Sequence, residues 1–232
     1  MTYKYLLILL ILSISSSLAQ AASTTKYRFE IIVFEYTNKQ NSATEAWPDN
    51  PGYPNYAKAI FSISGKKTQV ASRQNPNINF QLLQPSQFIL KKEANVIKRS
   101  SSRKLLLHSA WIQSMQSKSR AYPVSVKIGK SYNNPGNAYN NNAFGDMVKS
   151  PSLAPATLRQ LEGTIKISIS RYLHVWTDLL YTTPNAYAGA DSDSQSSLKS
   201  YRHVDHRKMR SKELHYIDNP NFGILIYALP VK

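Results

Sequence analysis

His203 and His206 stand three apart in the segment Tyr201–Arg210, YRHVDHRKMR. On a helix that spacing suits a metal ion, but on a strand an odd separation sends the two rings to opposite faces. The segment reads as extended, so the histidines are expected to be ordinary polar strand residues, as are His108, His174 and His215. Glycosidic hydrolysis needs two carboxyl groups about 5 to 10 Å apart. Glu30, Glu35, Glu93, Glu162, Asp178 and Glu213 are available for it, yet none lies in a recognisable signature. With 29 basic and 13 acidic side chains, the acids are better placed as ion-pair partners. The chain holds no G-x-S-x-G elbow, P-loop or H-E-x-x-H motif. Its lack of cysteine excludes a thiol nucleophile and thiolate metal sites. The expectation is a protein without catalytic residues, metal or cofactor.

Binding is better supported than catalysis. Between Lys199 and Lys212 stand Lys199, Arg202, Arg207, Lys208, Arg210 and Lys212, against a single acid before Glu213, Asp205. An arginine fork matches a carboxylate bidentately. Aromatic faces cover apolar surfaces at low entropy cost. Tyr172, His174 and Trp176 share one parity of a neighbouring strand. If Tyr201–Arg210 pairs beside that strand, these aromatics converge with Arg202, Arg207 and Arg210 on one surface, with Tyr216 just beyond. Those seven residues are the candidate ligand contacts. The opposing reading has Trp111 and Trp176 covered by a helix or loop, the basic run as a solvated face, and Arg210–Glu213 as a salt-bridged corner. Arg171 occupies a core-parity position and is expected to pair with Glu30 or Glu35.

These side chains need a scaffold. Lys26–Tyr36, KYRFEIIVFEY, is apolar on both parities and predicts a strand in the middle of a sheet. Ser86 after Pro85 can cap a helix whose stripe is Leu90, Ala94 and Ile97. Lys104–Gln113 reads as a second strand. From Leu161 to Tyr181 the apolar residues fall on odd positions, which predicts one half-buried strand, interrupted by a bulge near Ser170–Tyr172 because it is too long to run straight. A further strand from Phe222 to Leu229 closes the chain. Prolines 48, 51 and 54 and the Asn-rich run 133–142 mark long loops near 37–84, 129–158 and 184–200. The expected fold is α+β: mainly antiparallel sheet, with at least one helix packed on a face and long irregular loops, in a single domain over 22–232.

The start, MTYKYLLILLILSISSSLAQAAST, joins a basic tip, a short apolar core and a small-x-small end. It reads as a signal peptide over 1–21, cut after Ala21, rather than a membrane anchor, which would need about 20 apolar residues. No later stretch is long and apolar enough to span a bilayer, so the mature chain is expected in the periplasm without a transmembrane segment. A net charge of +16 implies acidic company. Outside the cytoplasm that means cell-wall polymer, anionic lipid head groups or acidic proteins rather than nucleic acid.

YRFEIIVFEY followed by EAWPDNPG, then LLLHSAWIQ, LEGTIKISISRYLHVWTDLLY and HRKMRSKELHYIDNPNFGILI, in that order, make the chain resemble the CsiV family of exported Gram-negative proteins. The last piece is the most specific. Lys208 and Lys212 depart from the pattern, standing where Arg and Gly are expected; the second replacement bears on a turn. The resemblance implies a periplasmic, non-enzymatic peptidoglycan-binding protein that supports wall synthesis or cell shape, with wall-synthesis proteins as further partners. It supplies no catalytic residues. The rival expectations are an adaptor that binds only proteins, a binder of lipid phosphates, and a wall hydrolase or an inhibitor of one.

Overall fold

The computed structural model describes residues 25–38, 47–48, 50–59, 61–64, 68–70, 80–134, 155–185 and 198–231. The expected leader at 1–21 and most of the Asn-rich run lie outside these residues. The described strands are β1 (Lys26–Tyr36), β2 (Phe61–Ser64), β3 (Thr68–Val70), β4 (Phe80–Leu82), β5 (Arg103–Ser114), β6 (Pro123–Asn133), β7 (Thr157–Ile169), β8 (Leu173–Pro184), β9 (Leu198–Met209), β10 (Leu214–Asp218) and β11 (Phe222–Val231), with one helix, α1 (Lys91–Arg99). They form a five-stranded sheet in the order β10-β11-β1-β5-β4 and a six-stranded sheet in the order β3-β2-β6-β7-β8-β9. Every pairing is antiparallel except β2 with β6.

Pattern and pairing explain each other in β1. It lies between β11 and β5, as its double-sided apolarity requires. Phe29, Ile31 and Val33 point into a core shared with Val126, Ile165, Val175 and Leu179 of the other sheet, so the two sheets pack face to face. Ile32 and Phe34 point the other way, beneath Ala94 and Ile97 of α1 and Leu90 just before it. Burying each of these large side chains contributes about 1.5–3 kcal/mol. Trp111 is wholly covered between Phe29 and Phe80, at centroid distances of 5.9 and 6.0 Å.

The described chain is mainly antiparallel β, as expected, with one nine-residue helix against an outer face. Four other expectations change. Ser86 does not cap that helix but sits in a single 3-10 turn, Pro85–Gln87. The chain is steered into α1 by Glu30, whose carboxylate accepts the Ile89 and Leu90 amides at 2.8 Å each. The expected loops are shorter than their stated bounds. β2, β3 and β4 fall within 37–84, because Phe61/Ile63 alternation and short edge pairings persist beyond the proline cluster; β6 continues to Asn133, and β8 to Pro184.

The single long strand 161–181 is a hairpin, β7–β8, turning at Ser170–Tyr172. Its register pairs Ile169 with Leu173 and Leu161 with Tyr181. Odd residues therefore face odd residues, and the buried stripe passes through the turn without changing parity. Arg171 lies in that turn, exposed, with its guanidinium 5.8 Å from the Tyr172 ring centroid. It pairs with neither Glu30 nor Glu35, because a turn residue lies outside the ladder that would bury it. Glu30 is held instead by His108 and Arg28, and Glu35 by Lys104, Tyr181 and Gln160.

Candidate ligand-binding groove

The β8–β9 register sets Trp176 opposite His206 and His174 opposite Lys208. The β7–β8 register adds Lys166 opposite Trp176. These residues share the outer face of the six-stranded sheet, opposite the core. The Trp176 indole lies flat on the His206 ring, 3.6 Å between centroids and 9° from parallel. Its Nε1 donates to Ser168 Oγ at 3.2 Å, which fixes the ring plane. Lys118 Nζ stands 4.0 Å from the indole centroid and Lys166 Nζ 5.5 Å, both as cations over an aromatic face. Burial first, and then the Lys118 and Lys58 charges, holds the Lys166 ammonium below the ordinary lysine value.

His174 extends the strip. Its Nδ1 shares one hydrogen with His206 Nε2 at 2.9 Å, and its Nε2 meets Ser170 Oγ at 3.1 Å. Partial burial, followed by His174 and Lys118, keeps His206 below the ordinary histidine value. The rings thus form a continuous aromatic strip, oriented by hydrogen bonds.

Two connections wall this strip. The segment 50–59 is fixed on one side: Tyr56 OH donates to Glu162 Oε1 at 3.0 Å, and Lys127 Nζ lies 4.9 Å from the Tyr56 ring. Burial, reinforced by Glu162, pushes the Tyr56 phenol far above its ordinary value, so it remains a donor. Arg202 joins the same segment to the sheet. It grips Asp178 with two bonds, of 2.9 and 3.1 Å, and donates to the Pro51 carbonyl at 3.2 Å. Gly163 makes room behind Asp178: at φ 147°, a Cβ there would stand 2.1 Å from the Asp178 carbonyl oxygen. The β5–β6 connection supplies Ser117, Lys118 and Ser119 on the other side, and together these elements enclose a groove of about 1210 Å3.

The seven candidates are only partly brought together. Trp176 lines the groove, and His174 continues the aromatic strip beyond that lining. Tyr172 ends the strip at the hairpin turn, with Lys208 Nζ 4.6 Å from its ring. Arg202 is engaged by Asp178. Arg207 does not join them: it pairs with Val175 and so projects from the opposite face, 3.8 Å from Asp205. Arg210 lies in the β9–β10 turn, 3.9 Å from Glu213. Tyr216 belongs to the other sheet, because β10 pairs with β11; it stacks on Phe34 and donates to Asp218 at 2.5 Å. Lys118 and Lys166 are not among the sequence candidates, and His206, expected to be an ordinary polar strand residue, stacks on Trp176. Lys166 becomes visible once 161–181 is folded at Ser170, since it then lies beside Trp176. Lys118 sits in a serine-rich connection with no periodicity to mark it.

His203 and His206 do lie on opposite faces, His203 standing edge-on to Phe222 at 5.7 Å. Among the described residues no group of three or more His, Asp or Glu could hold a metal ion, and no helix is long and apolar enough to cross a membrane.

The fold and groove define a two-sheet β protein with a cationic, aromatic-lined groove on one face. The chain matches, over residues 5–231, the family model described as "Peptidoglycan-binding protein, CsiV", and it belongs to that family. No curated protein and no solved structure matches it.

Proposed function

We propose that this protein is a non-enzymatic periplasmic module that binds peptidoglycan and supports wall assembly and cell shape as an accessory to the synthetic machinery. The leader-like start of the chain supports export, and the family supports the ligand. The observation that carries the reading is the Trp176–His206 stack, set between Lys118 and Lys166 in an open groove. An indole face takes the apolar face of a sugar ring. Ammonium groups at its edge take the carboxylates of muramic acid and the peptide stems. Lys118 is exposed and on a long stem, so it can move off the indole onto a ligand carboxylate. From Tyr172 at the hairpin turn, His174, Trp176 and Asp178 follow along β8, the four spanning roughly 20 Å, a linear track for a linear glycan.

Co-sedimentation with purified, protein-free sacculi tests this. Trp176→Ala is expected to weaken retention about tenfold, which corresponds to roughly 1.4 kcal/mol, with Trp176→Phe intermediate. Unchanged retention by a folded Trp176→Ala protein would remove the groove from the function.

A further inference from the structure

A second cavity opens at the end of the molecule where the β7–β8 and β9–β10 turns meet β1. It holds about 330 Å3. Its floor is apolar, from Ile169, Leu173, Met209 and Tyr27. Its mouth carries Arg171 and Arg210 together with the Ser211 hydroxyl. Arg171 has no ion-pair partner among the described residues, and Arg210 has only a long contact to Glu213, at 3.9 Å. The Glu213 carboxylate also lines the cavity. Two guanidiniums therefore border one acid above an apolar floor, and Lys208, 4.6 Å from the Tyr172 ring, adds a cation outside the lining.

We infer that this cavity is a carboxylate site that takes a small alkyl group bearing a terminal carboxylate, which in peptidoglycan is the C-terminal alanine of a stem peptide. The inference rests on the proposed wall-binding function and assigns the peptide a place separate from the glycan's. Two guanidiniums supply planar donor pairs for a carboxylate, and the apolar floor accepts a methyl group but offers nothing to a charged side chain. The spacing agrees. Tyr172 lines this cavity and lies four residues along the chain from Trp176, or roughly 13 Å at strand rise. An extended stem of about four residues covers the same distance, at roughly 3.3–3.6 Å per residue. A glycan seated on Trp176 can thus deliver the end of its own stem to Arg171 and Arg210. This also gives the exposed Arg171 a use that the ladder does not.

The probe is diacetyl-lysyl-D-alanyl-D-alanine, titrated calorimetrically into the full mature chain alongside the same peptide with a C-terminal amide. The acid is expected to bind at least tenfold more tightly than the amide. Arg171→Ala and Arg210→Ala should each weaken the acid about tenfold and leave the amide unaffected. Equal affinity for acid and amide, or undiminished binding by both arginine variants, overturns the inference. The acid–amide comparison uses the native protein, so it stands even if a variant fails to fold. Glycan chains stripped of their stems by an amidase separate the two readings. If they remain bound through Trp176 while the peptide acid is not preferred, the end cavity is wrong and the groove stands. If neither ligand binds, the wall-binding reading itself falls.

Discussion

Glu30 is a charged side chain with none of its surface exposed. A carboxylate in that position is tolerated only with its oxygens occupied. It accepts from the Ile89 and Leu90 amides at 2.8 Å each, from His108 Nε2 at 2.7 Å and from an Arg28 Nη at 3.3 Å. Burial alone would push the carboxyl upward; the His108 ring and the two amides outweigh it and hold the group below its ordinary value. One residue thereby joins β1, β5 and the entrance to α1. A folded-state value below the unfolded one means that the contribution is fully present above about pH 4.3 and is lost as pH falls through the folded value. Glu30→Gln keeps the shape, removes the charge and turns an amide NH2 toward donors. It should cost about 2–3 kcal/mol at pH 7 by urea denaturation. The gap between variant and native protein should narrow as pH is lowered below 4, because the native protein then loses the same charge. A gap independent of pH would show that the carboxylate acts through shape alone.

Turns decide what the elements can do, and one of them carries an unfavourable residue. Lys212, in the turn between β9 and β10, has φ 66°, the left-handed conformation that costs a side chain about 1–2 kcal/mol. The turn that the Gly-to-Lys departure put in question is therefore made, by a lysine in a glycine's conformation. Its amide donates to the Ala228 carbonyl at 2.8 Å, so the turn is tied to β11. Lys212→Gly should relieve the strain and restore part of the unfolded chain's entropy, a net gain of about 0.5 kcal/mol. At this chain length that is roughly 1–2 °C in melting temperature, readable by calorimetry; a fall in melting temperature would mean that the lysine side chain has a partner worth more than the strain.

Turns also set how much was legible from sequence. β1, the α1 stripe and the odd-parity stripe of 161–181 were all readable, because periodicity of burial is a property of the residues themselves. The hairpin at Ser170–Tyr172 was not. Its register joins like parities, so a folded pair and a straight strand give the same alternation. Arg171 was misplaced for that reason, and Lys166 overlooked. The expected pairing of Tyr201–Arg210 beside Trp176 is made, but its register sets Arg207 opposite Val175 and so on the other face, while Tyr216 belongs to a strand of the other sheet; register and sheet membership are not encoded in local pattern. That His174 and Trp176 share a face is legible, because both lie on one strand at a separation of two.

At the scale of the whole molecule, a net charge of +16 meets a polymer rich in carboxylates, and attraction over that range is screened by salt. The proposed binding groove, however, offers two kinds of contact that should respond differently. Lys58, Lys118 and Lys166 at its edge act by charge. Exposed pairs of this sort contribute about 0.2–1 kcal/mol each, and the screening length shrinks from about 10 Å at 0.1 M salt to about 3 Å at 1 M. Together they should lose roughly 1.4 kcal/mol or more, which is tenfold in affinity. The Trp176 face acts by apolar contact, which salt does not screen. Sacculus binding by the native protein should therefore fall about tenfold between 0.1 and 1 M sodium chloride, while the ratio of native to Trp176→Ala affinity stays nearly constant. Binding curves for the two proteins at both salt concentrations separate the contributions. A ratio that collapses toward one at high salt would mean that the indole serves only to position its lysines, and that attraction to the wall is charge throughout.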